Sequence, residues 1–472
     1  MDYDVLIIGS GPAGQHAAWQ AARMGKRAAI IERKPKIGGA GLQTGTIPSK
    51  AMREVAYLLS RSSYGGMRQA LAPDGFSRHG LLADAVRRKE VVIAQQESVI
   101  LQRLLRSGVA LIPGEASFVD AHTIQVADAL GNTRNISADV IVLATGSRPR
   151  RPPNVPFDKK IVLDSTSILK IRHLPDSLTV VGGGVIACEF ISIFAALGVQ
   201  VCVVDSHTQL LTYLSDDVVG VLADSFLGMG VVFHMQECVT EIRREGNSTL
   251  TLLESGKQIR SDAVLYAQGR VPNSEKLQVS RAGIIAKDGW IEVNEHFQTN
   301  VPHIFAVGDL IGRPSLASTG MEQGRAAVLC AFGGEKHVIA ENLPMAVYTI
   351  PEISYVGKTE KEVQQKSIPY VVGRAYFKDS ARGQIIGDAQ GLLKLVVDAS
   401  DEKLLGVHIV GEQASELVHI GQLVMNLNGS VRDLVRNVFN YPTLAECYKL
   451  AALDCVQQLE LRKSLQQDNL PR

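Results

Sequence analysis

Cysteine is the informative shortage in this sequence. There are six, at positions 188, 202, 238, 330, 447 and 455, with no CxxC pair and none before Cys188. Such scatter gives neither a disulfide framework nor a zinc site. Cys447 and Cys455 are expected on one helix, where eight residues rise about 12 Å, too far for a disulfide. No metal-ligand cluster is expected elsewhere, because His16, His122 and His173 lack partners at ligand spacing and read as surface or turn residues. Charge of one sign is missing as well. Lys plus Arg is 49 and Asp plus Glu is 48, for a net charge of +1. Without a basic run there is no electrostatic case for nucleic acid or an anionic membrane. No apolar run reaches the ~18–20 residues that span a bilayer. The acidic start Met1-Asp2-Tyr3-Asp4 lacks the basic region of a signal peptide, so a cytoplasmic protein is expected.

What is present is an ordinary globular balance, 46% hydrophobic and 21% charged, over 472 residues. That length suggests about three domains. Glycine is abundant, at 43 residues, and clusters between apolar runs. Asp4–Ile8 reads as a short buried strand. It enters Gly9-Ser10-Gly11-Pro12-Ala13-Gly14, followed by a small-residue helix to about Met24 and a strand, Arg27–Ile31, that ends in Glu32. This is a βαβ unit on a parallel sheet. The pattern recurs at Leu178–Val181, Gly182-Gly183-Gly184-Val185-Ile186-Ala187, a helix to about Leu197, and Val199–Val204 ending in Asp205.

The fold class is therefore α/β, with two Rossmann-like dinucleotide-binding domains and a C-terminal α+β domain. The Pro- and Arg-rich stretch Arg148–Pro153 reads as a linker between the repeats. A second boundary falls near Gly269–Asn273, and alternation such as Leu392–Val397 marks a third domain after Asn342. The expected domains are 1–150 with 270–341, then 151–269, then 342–472.

GxGxxG alone is a weak signal; between a strand and a helix, with an acid about 20 residues on, it carries a mechanism. Gly9 makes the tight turn, Gly11 lets the backbone approach a pyrophosphate, and Gly14 lets helix pack on strand, with Pro12 and Ala13 in the turn. The pyrophosphate rests on the unpaired N–H groups of the helix N-terminus. Glu32 would accept hydrogen bonds from ribose hydroxyls. In the second copy the same parts are Gly182, Gly184, Val185, Ile186 and Asp205, and Ala187 replaces the third glycine, a tolerated exchange. Asp205 suits the ribose diol of NAD and repels the 2′-phosphate of NADP, and Ser206–Gln209 contains no arginine.

Gly38–Lys50, Ala144-Thr145-Gly146-Ser147 and Ala306-Val307-Gly308-Asp309 resemble the redox loop and flavin signatures of the pyridine nucleotide–disulfide oxidoreductases. Within that family, four stretches are similar to the soluble, Si-specific pyridine nucleotide transhydrogenases: Gly45–Lys50, Gly308–Ser318, Tyr348–Ser354 and Phe439–Glu446. The resemblance covers essentially the whole chain. It implies FAD in the first domain, NAD(P)H as substrate in the second on the opposite flavin face, and a homodimer built by the third. For FAD it implies Arg33, Gly39, Thr46, Lys50, Ala116, Thr145, Gly146, Gly308, Asp309 and Ala317 as further contacts, with Asp309 on the ribityl chain; for NAD(P) it adds Gly269. It places Lys50 beside the flavin, paired with Glu189, and brings Tyr441 and Glu446 to the partner's flavin. His419 matches a segment packed at the dimer interface.

The departures are specific. Disulfide-using members carry CxxxxC where this chain has Gly41 and Thr46, and a catalytic histidine where it has Tyr441. Thiolate–flavin exchange needs a nucleophilic sulfur and a base, so lipoamide, glutathione, thioredoxin and mercuric-ion reduction by the usual route are excluded. The resemblance implies hydride transfer from NAD(P)H through FAD N5 to a second nicotinamide. An NADH-dependent diaphorase or oxidase acting on a quinone, a metal oxyanion or oxygen is the alternative. Intact Lys50, Glu189 and both cradles argue against a non-enzymatic flavin sensor. A transhydrogenase must also accept NADPH, so a cation from outside the second fingerprint has to reach the phosphate; Arg270 is one candidate by resemblance.

Overall fold

A computed structural model describes residues 1–62, 78–334 and 339–468. The described residues form two compact units. The first comprises residues 1–55, 76–174 and 265–339, and the second 56–75, 175–264 and 340–472.

The first unit is built on a seven-stranded sheet. Strand Tyr3–Ile8 lies parallel between Ala28–Glu32 and Thr133–Leu143, with Val5 opposite Ala28 and Val140. Val5, Leu6 and Ile7 are fully buried, as expected for a parallel strand covered on both faces. Ala110–Pro113 extends the parallel side, and Ile304–Ala306 joins Thr133–Leu143 parallel. Thr123–Ala127 and Glu115–Phe118 close the other side antiparallel. Helix Pro12–Arg23 packs on helix Ala317–Ala331 so closely that a Cβ on Gly324 would lie 2.2 Å from the Ala13 carbonyl oxygen. The stretch read as a linker is different in the structure. Ser147–Pro149 is a strand paired antiparallel with Arg270–Pro272, so the two crossover segments form a ribbon inside the first unit. Their proline content did not exclude pairing, because a two-stranded ribbon consists only of edges.

In the second unit Ser177–Val181, Gln200–Asp205 and Val232–Met235 are parallel neighbours. Helix Val185–Ala196 is buried over almost its whole length. A three-stranded antiparallel sheet follows, Val239–Glu245, Ser248–Leu253 and Gln258–Ser261. The C-terminal part is a five-stranded antiparallel sheet in the order Met345–Val347, Ile353–Gly357, Leu404–Val410, Leu392–Asp398, Tyr370–Tyr376. Helices Ala414–Asn426 and Glu446–Asp468 pack on it. The last helix contains Cys447 and Cys455, as expected, and neither is in a disulfide.

An ionic cluster around buried Lys394 ties helix Asp216–Gly228 to the C-terminal sheet. Lys394, 1% exposed, donates from Nζ to both Asp217 oxygens at 2.9 Å and also meets Glu360. Arg374 reaches Asp217 and Glu360, each at 3.2 Å. Burial pushes the Asp217 carboxyl up, but Lys394 and Arg374 outweigh it and hold the group below its ordinary value.

Candidate dinucleotide sites

In the first cradle Gly9 has φ +109°, and a Cβ there would lie 2.5 Å from the Ala144 carbonyl oxygen. On Gly14 a Cβ would come within 2.0 Å of the Gly9 carbonyl oxygen. Gly11 is the contrast, with open space where its Cβ would be. It caps helix Pro12–Arg23 with no side-chain bond, and Pro12 occupies the first turn. The early N–H groups of that helix have no side-chain cap, the arrangement that suits a phosphate. Glu32 at the strand end is held by its own chain: Oε2 accepts from Ser10 N at 3.0 Å and Ser10 Oγ at 2.7 Å, and Oε1 accepts from Lys34 N at 2.9 Å. Ser10 Oγ in turn accepts from Gly38 N at 3.0 Å. Ser10 lay unnoticed inside the fingerprint, although a hydroxyl between two glycines and opposite an acid was a usable signal.

The loop beyond folds against this cradle. Gly38 and Gly39 have φ +102° and +60°, and a Cβ on Gly39 would lie 2.6 Å from Gly11 Cα. Gly41 is in the short helix Gly39–Gln43, where a Cβ would lie 3.0 Å from Pro12 Cγ. Thr46 opens helix Thr46–Ser62, which carries Lys50 with Nζ 3.4 Å from Ser49 Oγ.

A polar chain surrounds Asp309. Ser147 Oγ donates to Asp309 Oδ2 at 2.7 Å, and Arg270 donates to Ser147 Oγ at 2.7 Å and to Ser147 O at 2.8 Å. Arg270 Nε is 3.8 Å from Asp309. Burial lowers the Arg270 pKa, with Asp309 and Asp164 acting against that shift. This places Arg270 on the Ser147–Asp309 pair. Gly308 N donates to Gln323 Oε1 at 2.8 Å, and Ala317 opens helix Ala317–Ala331. Asn273 donates to the Thr145 carbonyl, while the buried Thr145 Oγ1 has no hydrogen-bond partner. Gly146 has φ +66°. Ala116 is buried in strand Glu115–Phe118, and Arg33 is 3.4 Å from Glu115. Open Gly11, the uncapped helix start and the unpartnered Thr145 hydroxyl fit a dinucleotide pyrophosphate and its polar neighbours. Gln323 and Asn273 were not legible in sequence, because each arrives from a distant segment.

The second cradle repeats the geometry with changes. Gly182 has φ +120° and donates to Val204 O at 2.9 Å. Gly184 is open and caps helix Val185–Ala196 without a side-chain bond; Val185 and Ile186 form its first turn. Ala187 is fully buried and fits where Gly14 has no room for a methyl. A Cβ on Gly183 would lie 3.2 Å from Asp205 Cγ, so the acid sits against the turn. Asp205 Oδ1 accepts from His207 N at 2.8 Å and lies 2.6 Å from His207 Nδ1. Buried Glu189 accepts from Tyr348 N at 3.2 Å. Gly269, with φ +91°, belongs to the first unit, where its carbonyl accepts from Arg150 N.

At the C-terminus Tyr441 is 74% exposed and Glu446 opens the last helix. His419 is exposed and 2.9 Å from Gln422 Oε1. Among the supposed surface histidines, His16 is half-buried on helix Pro12–Arg23 against Trp19, and burial lowers its pKa. His122 stacks on His303 at 3.7 Å. Burial also pushes the thiols of Cys202 and Cys447 up to about 11 and that of Cys455 to about 12. Buried Cys188 moves further in the same direction. None of these four is poised as a thiolate nucleophile. No helix among the described residues is long and apolar enough to cross a membrane.

Two strand–turn–helix cradles, each with an acid at the end of its second strand, make this an α/β protein of the double dinucleotide-binding class. Sequence comparison supplies the family. Residues 3–324 match pyridine nucleotide-disulphide oxidoreductase, and residues 343–452 match the dimerisation domain of the same family. The chain belongs to that family. It is similar to a soluble pyridine nucleotide transhydrogenase of Mycobacterium bovis (strain BCG / Pasteur 1173P2), at 45% identity over 97% of this chain and 98% of the relative. A protein of that name from Azotobacter vinelandii (strain DJ / ATCC BAA-1303) is 41% identical over 97% of this chain and 99% of the relative. Among solved structures, LpdA of Mycobacterium tuberculosis superposes with a TM-score of 0.87 at 29% identity, covering 95% of this chain and 98% of that one. The Cu(II) complex of RclA, an HOCl-induced flavoprotein disulfide reductase of Escherichia coli, gives 0.87 at 25% identity, covering 96% and 99%.

Proposed function

We propose that this protein is an FAD-dependent NAD(P)+ transhydrogenase that works without a redox-active disulfide. One observation carries the reading: two complete dinucleotide cradles stand in one chain whose redox-loop positions are Gly41 and Thr46. When bound, FAD supplies the centre that accepts a hydride from one nicotinamide and delivers it to another. The first cradle orients it, with Gly11 and the start of helix Pro12–Arg23 at the pyrophosphate, Glu32 at the ribose and Asp309 at the ribityl chain. Lys50 provides fixed positive charge beside the ring, and Glu189 is a further catalytic residue by resemblance. Tyr441 and Glu446 act from the partner in a homodimer. The second cradle, with Gly182, Gly184, Val185, Ile186 and Asp205, takes the nicotinamide nucleotides. Domains of 1–150 with 270–341, 151–269 and 342–472 follow from the same reading. Six cysteines without a disulfide fit the reducing cytoplasm.

The test is anaerobic hydride transfer from NADPH to a thio-analogue of NAD. Rapid transfer, with no long-wavelength thiolate–flavin band on two-electron reduction, supports the proposal. A band abolished by thiol alkylation would return the chain to the disulfide reductases. Asp205, with no arginine in Ser206–Gln209, favours a second reading, an NADH-dependent diaphorase. Fast dye reduction by NADH with negligible nicotinamide-to-nicotinamide transfer would select it.

A further inference from the structure

A transhydrogenase must bind both NADH and NADPH, yet the acid of its second cradle suits only the first. The resolution lies two residues beyond that acid. We propose that His207, bonded to Asp205, selects between the two nucleotides, accepting NADH when neutral and NADPH when protonated. This rests on the reading that the second cradle binds nicotinamide nucleotides.

The imidazole Nδ1 is 2.6 Å from Asp205 Oδ1, and the same oxygen accepts the His207 backbone N–H at 2.8 Å. A carboxylate can only accept, so Nδ1 is the donor and Nε2 is the nitrogen left for a ligand. The His207 side chain is 62% exposed, whereas that of Asp205 is 9% exposed. The pair lies against the glycine-rich turn, since a Cβ on Gly183 would meet the Asp205 carboxylate at 3.2 Å. An acid at this strand end is the group that meets the adenosine ribose 2′-hydroxyl.

Neutral Nε2 is an acceptor and can take a hydrogen bond from that hydroxyl. Protonated, the ring offsets the charge of Asp205 and presents a cationic N–H donor to a 2′-phosphate, the role an arginine has elsewhere. Buried Cys188 lies close enough to feel the Asp205 charge. Glu237 donates its backbone N–H to Asp205 O, and its side chain pairs with Lys257 at 3.2 Å; Gln236 N donates to His207 O. Arg270, on Ser147, is engaged in the first unit.

The experiment measures kcat/KM for NADPH and for NADH with one dye acceptor from about pH 6 to 8 in holoenzyme. The NADPH-to-NADH ratio should rise as pH falls, with a limiting slope of about tenfold per pH unit. The 2′-phosphate has its own ionisation near about pH 6, common to all variants, so the readout is the difference between wild type and variant. His207→Gln should hold the ratio near its high-pH value, and His207→Lys should raise it and remove the imidazole's share of the pH dependence. Bound FAD in each variant confirms folding. A His207→Gln enzyme with the wild-type slope, or no rise in the wild-type ratio, overturns the assignment while leaving the cradle's function standing. If neither nucleotide binds or reduces the holoenzyme, the reading of the second cradle falls too, and this inference with it.

Discussion

In the first cradle the acid is fixed by donors of its own chain; in the second it shares one oxygen with an exposed histidine. Glu32 accepts three hydrogen bonds, two from Ser10 in the glycine-rich turn and one from Lys34 two residues on. Asp205 has a backbone N–H and a titratable ring on Oδ1. The packing differs in the same sense. Gly14 excludes even a methyl, while the matching position in the second cradle is a buried Ala187. A group that stays bound is best met by a carboxylate already fixed by neighbouring donors. A nucleotide that exchanges, and comes with or without a phosphate, is better met by a partner that can change charge.

The largest expected effect tests whether the first unit carries the reacting centre. Lys50→Met should slow flavin reduction roughly 10²–10³-fold while FAD stays bound, because one electrostatic stabiliser is removed. An unchanged stopped-flow rate would make Lys50 a bystander.

Packing gives the next contrast. Gly14→Ala puts a methyl against the Gly9 carbonyl oxygen and should cost about 1–3 kcal/mol, with loss of FAD occupancy. The reverse change in the second cradle, Ala187→Gly, should cost only about 1 kcal/mol and leave FAD content intact. Thermal melting with flavin fluorescence reads both, and equal losses would remove the asymmetry.

Acid should loosen the second unit through His408. Burial drives its pKa down to about 4, with the Lys358 carbonyl hydrogen bond acting the other way. An unfolded histidine takes its proton near about 6.5, so the unfolded chain binds more protons between about pH 6.5 and 4 and stability falls across that window. Hydrogen exchange at strand Leu404–Val410 should accelerate on acidification in wild type and less so in His408→Gln.

Asp205→Ser should shift preference a few-fold to about tenfold toward NADPH, since a like charge is removed beside the 2′-phosphate. Relative kcat/KM values measure it. A wild type that already prefers NADPH strongly at pH 8 would contradict the role of Asp205.

Much of the site was legible because its signals are local. Glycine spacing, a strand before it and an acid after it lie within about 30 residues, the span of one βαβ unit. Helix and strand limits agreed with expectation to a residue or so: Pro12–Arg23 for Ala13–Met24, and Gln200–Asp205 for Val199–Val204 with its terminal acid. The ribbon of Ser147–Pro149 with Arg270–Pro272 was not legible because it joins segments over 120 residues apart, and composition has no access to such a partner.

By itself the sequence determined the two cradles, the acids Glu32 and Asp205, and the lack of sulfur at Gly41 and Thr46, since each depends on residue type at short spacing. Tertiary structure decided what those residues touch. It set Arg270 on Ser147 and Asp309, brought Gln323 to Gly308, and locked Ser10 between Glu32 and Gly38. It also turned His207 back onto Asp205, because only a bend at the strand end brings an imidazole two residues on to its own strand's carboxylate.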